Sequence, residues 1–180
     1  MSSPFRPAID LLAQYARYHR DERNIATHVV GVPLIVFSIG VLLGRPGFQI
    51  AGYALSPAWL LFAPVALWYL TRGEFVLGLA VSAAIAALLM LAQPLAEAGT
   101  LAWLGLGAGG FFVGWTIQFL GHYYEGRKPA FADDLIGLLV GPMFVVMELL
   151  AMAGGCKGLV ARIESRVGPT IVRDLAHPAT

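Results

Sequence analysis

The sequence predicts an all-α, polytopic membrane helical bundle: four full spans plus a fifth apolar segment that is re-entrant or spanning. Three observations predict it. Of 180 residues, 58% are hydrophobic and 13% charged, against about 25% charged in soluble domains. The charges also cluster. They leave stretches free of Asp, Glu, Lys and Arg of 21 residues (Arg23 to Arg45), 26 (Arg45 to Arg72), 22 (Glu74 to Glu97) and 27 (Glu97 to Glu125). Each is long enough for the roughly 20 residues with which a helix crosses a bilayer. Finally, the length suits a single integral membrane domain over residues 1–180 and leaves little room for a soluble one. A net charge of +1 gives no sign of a nucleic-acid partner. The single cysteine, Cys156, excludes an internal disulfide and a cysteine-only metal site. Residues 1–23 carry four arginines and three acids and no apolar core. No cleavable signal peptide is expected, and the first apolar segment should act as an uncleaved anchor.

The elements follow in order. Residues 1–26 form an N-terminal segment in which Ile9, Leu12, Ala13 and Ala16 repeat at helical spacing, predicting an amphipathic helix on the membrane surface. Span one covers about Thr27 to Leu43 and should kink at Pro33, which cannot donate to the carbonyl of Val29. Span two, about Ile50 to Leu70, is bent by Pro57 and Pro64 and ends on the interface aromatics Trp68 and Tyr69. Span three, about Phe75 to Leu95, is rich in alanine. Span four, about Leu101 to Gly121, contains "GLGAG" and "GFFVG", small-xxx-small patterns that let neighbouring backbones approach.

The fifth segment, Leu135 to Cys156, is interrupted by Glu148, and a carboxylate in hydrocarbon is costly. If this segment spans, the lysines and arginines divide seven to five across the membrane; if it dips in and returns, they divide eleven to one, with Arg45 alone outside. The positive-inside rule prefers the second arrangement. Asp133 and Asp134 should cap the start of this segment. The tail, 157–180, places Leu159, Val160, Ile163 and Val167 on one face and should lie on the surface.

The chemistry-bearing residues fall in two groups. His19 and His28 stand before or at the start of span one. His122 and Glu125 stand at the end of span four. An even number of crossings separates the groups, so both face the same side, expected to be cytoplasmic. Trp115, Gln118, His122 and Glu125 form one helical stripe, and Asn24 lies one turn before His28. His19 and His28 are nine residues apart and would point to opposite sides of a continuous helix. They converge only if the chain breaks between them, and "RDERN" offers Asp21 and Asn24 as caps for a new helix. Three histidines and a carboxylate with open positions suit non-haem iron(II) that activates O2. Zinc accepts the same ligands and suits hydrolysis, with Glu125 as general base. Spacing alone does not choose between them. A third reading is a non-enzymatic scaffold or carrier whose histidines are interface anchors. Glu148 either hydrogen-bonds within the bundle or orients a ligand histidine. Tyr15, Tyr18 and Tyr123 read as interface aromatics, and His177 as uninvolved.

Two blocks carry a family resemblance. "YHRDERNIATHVVGVPL" fits Tyr-His, then Asn, then His four residues later, then Gly or Cys, Val and Pro. "QFLGHYYEGRKPAFADDL" fits Gln-Phe-x-Gly-His, then Glu three residues later, then Pro-Ala; "GPMFVVMELL" is a weaker third match. On these blocks the chain resembles the yeast-type 2-hydroxy fatty acid dioxygenase family. The resemblance implies an iron(II)-dependent dioxygenase, with O2 as co-substrate, that shortens a 2-hydroxy fatty acid by one carbon in α-oxidation. It implies His19, His28 and His122 as iron ligands, with Glu125, and more weakly Glu148, as catalytic candidates. Asn24 and Gln118 are candidates for contacting substrate. The yeast-type pattern has a second histidine directly after the first; here that position is Arg20, a candidate for binding the substrate carboxylate. The expected location is the inner membrane in a bacterium or the endoplasmic reticulum in a eukaryote.

Overall fold

The computed structural model describes residues 3–45, 47–50, 53–129 and 135–175. Asp133, Asp134 and His177 lie outside the described residues. The elements are α1 (Ala8–Ala16), α2 (Glu22–Gly44), a hairpin of β1 (Phe48–Ile50) and β2 (Tyr53–Leu55), α3 (Pro57–Leu70), α4 (Phe75–Ala96), α5 (Thr100–Leu104), α6 (Gly110–Glu125), α7 (Gly137–Met152) and α8 (Lys157–Val167). A π-helical turn, Gly105–Gly109, joins α5 to α6 without a break, so Thr100–Glu125 runs as one helix of 26 residues.

Among the described residues, three helices are long and apolar enough to cross a membrane: α2, α4 and the continuous Thr100–Glu125. These are expected spans one, three and four. Span two differs. Its first third folds as an antiparallel hairpin, with Phe48 opposite Leu55, and its helix has only 14 residues. Pro57 explains the late start: proline fits the first turn of a helix, where no N–H is needed. The fifth segment also divides. α7 meets α8 at a bend of 118°. Gly154 (φ 96°) and Cys156 (φ 50°), both left-handed, turn the chain between them. A bend of this kind suits a broken span or a re-entrant segment, the two arrangements expected.

α1 departs from expectation. It is not a surface helix: Ala8, Leu11, Leu12, Tyr15 and Ala16 are all buried. α7 and α8 both pack against it, and it joins Tyr69, Leu77, Val81, Met143, Phe144, Met147 and Ile163 in one core. Its first N–H donates to the carbonyl of Arg72 in the α3–α4 turn (2.8 Å), which fixes its start at that end of the bundle.

The α2–α6 seam positions the site. Glycines let these helices meet backbone to backbone. A Cβ on Gly114 would lie 2.6 Å from Ile35 Cγ1, and one on Gly31 would lie 3.0 Å from the carbonyl oxygen of Gly114. Gly107, Gly110 and Gly121 face α2 in the same way. Of the two expected patterns, "GFFVG" serves close approach through Gly110 and Gly114, whereas in "GLGAG" the end glycines Gly105 and Gly109 have nothing within 4 Å and the middle one, Gly107, meets α2.

Candidate metal centre

His19 lies in the break between α1 and α2, where Asp21 caps α2 by accepting from the N–H of Arg23 (2.9 Å). The break turns the chain so that His19 and His28 meet. The Arg23 guanidinium, hydrogen-bonded to Asp21, holds that carboxyl down at about 2. His28 stands on α2 and His122 near the end of α6, both buried. Ring centroids are 4.3 Å apart for His19–His28, 5.0 Å for His19–His122 and 5.1 Å for His28–His122. One ligand atom from each lies within 4.8 Å of the others.

The hydrogen bonds fix what these rings offer. His19 Nδ1 donates to the carbonyl of Tyr15 (2.8 Å) and His28 Nδ1 to that of Asn24 (2.9 Å). A carbonyl only accepts, so each neutral ring carries its proton on Nδ1 and a lone pair on Nε2. Those two Nε2 atoms lie 3.0 Å apart. Two lone pairs facing at that distance repel unless a cation or proton sits between them. Two nitrogens each about 2.1 Å from one ion, at a right angle, also lie about 3 Å apart. Burial first, then the neighbouring His28, pushes the His19 imidazole well below its ordinary range, so it is neutral and able to ligate. Nδ1 of His122 is buried without a hydrogen-bond partner. The donor set and its orientation fit a divalent metal of the imidazole-binding class.

The other candidates are placed differently. Glu125 is fully buried but does not belong to the group of three. Its Oε2 accepts from the backbone N–H groups of Arg20 (2.9 Å) and Asp21 (2.8 Å) and from Asn24 Nδ2 (3.2 Å). The carboxylate is thus occupied in holding the His19 turn onto α6. Asn24 also donates to the carbonyl of Tyr18 (2.9 Å), another tie on that turn. The Arg20 side chain is tied to the main chain. Its Nε donates to the carbonyls of Ala16 and His19, and its Nη1 to that of Gly168, so its donors hold backbone rather than wait for a carboxylate. Glu148 is half-buried on α7 within electrostatic reach of Arg20.

Three contributors carried little or no sequence signal. Tyr15 stacks on His19 with centroids 4.0 Å apart and planes 7° from parallel. It is a buried wall of the centre, not an interface aromatic; its spacing of four before His19 was the available clue. Phe144 packs against both rings, its centroid 5.5 Å from His19 and 5.3 Å from Tyr15. Arg173, near the end of the chain, reaches Glu125.

Beside the histidines lies a cavity of about 360 Å³. From His28 it follows Val32, Ile35, Val36 and Ile39 down α2, and from His122 it follows Gln118, Trp115 and Phe111 down α6, with Gly141 and Pro142 of α7 opposite. The wall is almost wholly apolar, as in sites for greasy ligands with few oriented polar groups.

Residues 5–153 match the family model described as 2-hydroxy-palmitic acid dioxygenase Mpo1-like. The chain is 30% identical over 162 residues to 2-hydroxy-palmitic acid dioxygenase MPO1 of Saccharomyces cerevisiae, covering 87% of this chain and 88% of the yeast protein. No solved structure matches.

Proposed function

Because the chain belongs to the Mpo1-like family, we propose that it is a membrane-embedded, iron(II)-dependent dioxygenase that removes the carboxyl carbon of a 2-hydroxy fatty acid. The observation that carries this reading is the facing of His19 Nε2 and His28 Nε2 at 3.0 Å, beside His122, with both Nδ1 atoms committed to carbonyls. The overall change balances as R–CHOH–COOH + O2 → R–COOH + CO2 + H2O. The C1–C2 bond breaks, the substrate carbons are oxidised and O2 is reduced.

Bound iron(II) would supply open coordination positions and the one-electron chemistry through which O2 reacts with an organic substrate, the four electrons coming from the substrate itself. The protein does the rest. His19, His28 and His122 would hold the metal, and the Nδ1 hydrogen bonds keep two of the rings from rotating. Glu125 acts as a positioning residue, fixing the His19 turn through the amides of Arg20 and Asp21. The acyl tail lies along the apolar cavity between α2 and α6, with the carboxyl head at the histidines. The packed wall of Tyr15 and Phe144 limits water at the centre. Arg17, Arg20, Arg23 and Arg127 lie at the same end of the bundle as the site, which supports a cytoplasmic orientation.

The test is metal analysis of the anaerobically purified protein beside His122→Ala, followed by O2 uptake with 2-hydroxy fatty acids. About one iron per chain, lost in the variant, with substrate-dependent O2 uptake, is the expected result. Zinc in its place would move the assignment to a hydrolase. No metal after iron supplementation would overturn the shared centre.

A further inference from the structure

Gln118 sits on α6 one turn before His122, and its side chain lines the cavity directly below the histidines. It is 4% exposed, and neither its Oε1 nor its Nε2 has a hydrogen-bond partner. A buried primary amide with both ends unsatisfied is unfavourable. The fold goes further and makes room for it. Gly31 of α2 faces the amide, and a Cβ there would lie 2.7 Å from Nε2. Any larger residue at position 31 would have to displace the amide.

We propose that Gln118 is the specificity-determining residue that reads the 2-hydroxyl of the substrate. This rests on the substrate class proposed above. The argument is one of matching donors and acceptors. Oε1 needs a donor, which an ionised carboxylate does not have. Nε2 needs an acceptor, which a methylene does not have. A hydroxyl supplies both. One turn below His122, the amide lies where the first carbons beyond the carboxyl head pass. A fatty acid without the hydroxyl would leave the amide as unpaired as it is now, and such a site discriminates strongly against the analogue lacking the group.

The test compares binding of 2-hydroxyhexadecanoic acid and hexadecanoic acid to the full-length protein in lipid nanodiscs, metal-loaded and anaerobic so that no turnover occurs. Wild type is set beside the near-isosteric Gln118→Met and, in case that variant does not fold, Gln118→Leu; metal content is matched throughout. Any preference that the metal itself confers on the hydroxy acid is common to all three proteins, so the change in preference isolates Gln118. The expected result is a tenfold or greater fall in the ratio of the two affinities, with hexadecanoic acid bound as well as before or better. An unchanged ratio in a folded variant overturns the role of Gln118 while leaving the dioxygenase reading intact. Wild type that binds neither acid overturns both.

Discussion

Arg173 Nη2 lies 3.0 Å from Glu125 Oε1 and joins the C-terminal segment to the last turn of α6. The segment before Arg173 is tied to the same place. Ile171 donates to the carbonyl of Arg20 and accepts from the N–H of Glu22, forming a parallel bridge with Asp21. The Arg173 N–H donates to Asp21 Oδ2 (2.8 Å), and its carbonyl accepts from Arg23 Nη2 (2.7 Å). The turn that carries His19 is therefore held between α6 on one side and this strap on the other. Arg173→Gln removes the cation facing Glu125 Oε1, an oxygen with no hydrogen bond of its own, and should lower stability by about 1–3 kcal/mol, the cost of leaving a buried polar group unpaired. Residual exposure of the arginine, about a quarter, keeps the effect below that of a fully buried pair. Thermal unfolding in detergent would measure it, and Arg173→Lys should recover part of the loss. A Gln variant as stable as wild type would show that the Arg173–Glu125 pair contributes nothing to holding the strap on α6.

Glu125→Gln separates a positioning carboxylate from a ligand. The amide oxygen can still accept from the N–H groups of Arg20 and Asp21, but the charge facing Arg173 is gone. Metal content should stay close to wild type while the unfolding temperature falls. Each of His19→Ala, His28→Ala and His122→Ala should do the reverse, losing metal with smaller effects on unfolding. Loss of metal from Glu125→Gln at unchanged stability would instead make the carboxylate a ligand.

The pairing of His19, His28 and His122 was legible because histidine is rare in apolar sequence and because "RDERN" could break a helix. The partners of Glu125 were not legible. They are mainly backbone amides, which every residue has, and a distant Arg173 among several exposed arginines. The burial of α1 was hidden for a related reason. Its one-sided pattern of Ile9, Leu12, Ala13 and Ala16 describes a helix with one covered face, whereas α7 and α8 together cover a second. The 118° bend that makes this possible depends on positive φ at Gly154 and Cys156, and no periodicity reports that. Arg20 could not be placed from sequence either, because an arginine that holds carbonyls and one that awaits a carboxylate look alike.

The glycine seam should be the least tolerant part of the scaffold. Gly121 precedes His122 and faces Thr27 and Asn24 of α2 with no space for a Cβ. Gly121→Val would push α6 from α2 at the level of the three histidines. Overpacking of this kind costs about 1–3 kcal/mol, and it also separates His122 from His28. The variant should lose both stability and metal. Gly109→Ala, on the same helix, is a control, since nothing lies within 4 Å of a Cβ there. Equal behaviour of the two variants in unfolding and metal analysis would count against the seam.

The cavity sets a length as well as a polarity. From His28 to Ile39 its wall on α2 spans eleven residues, about 16 Å at 1.5 Å per residue. Val36 stands eight residues from His28, about 12 Å down the same helix. Val36→Trp would fill the lower part and leave the histidines and Gln118 untouched. Long 2-hydroxy acids would then lose the seat for their terminal methylenes, each worth about 0.8 kcal/mol when buried, whereas shorter acids would keep theirs. O2 uptake over a series of chain lengths should show kcat/KM falling at least tenfold for the longest acids and changing little for the shortest, at constant metal content. A uniform fall across the series would mean that the tail does not run down this cavity. A series unchanged from wild type would mean that it leaves the bundle above Val36.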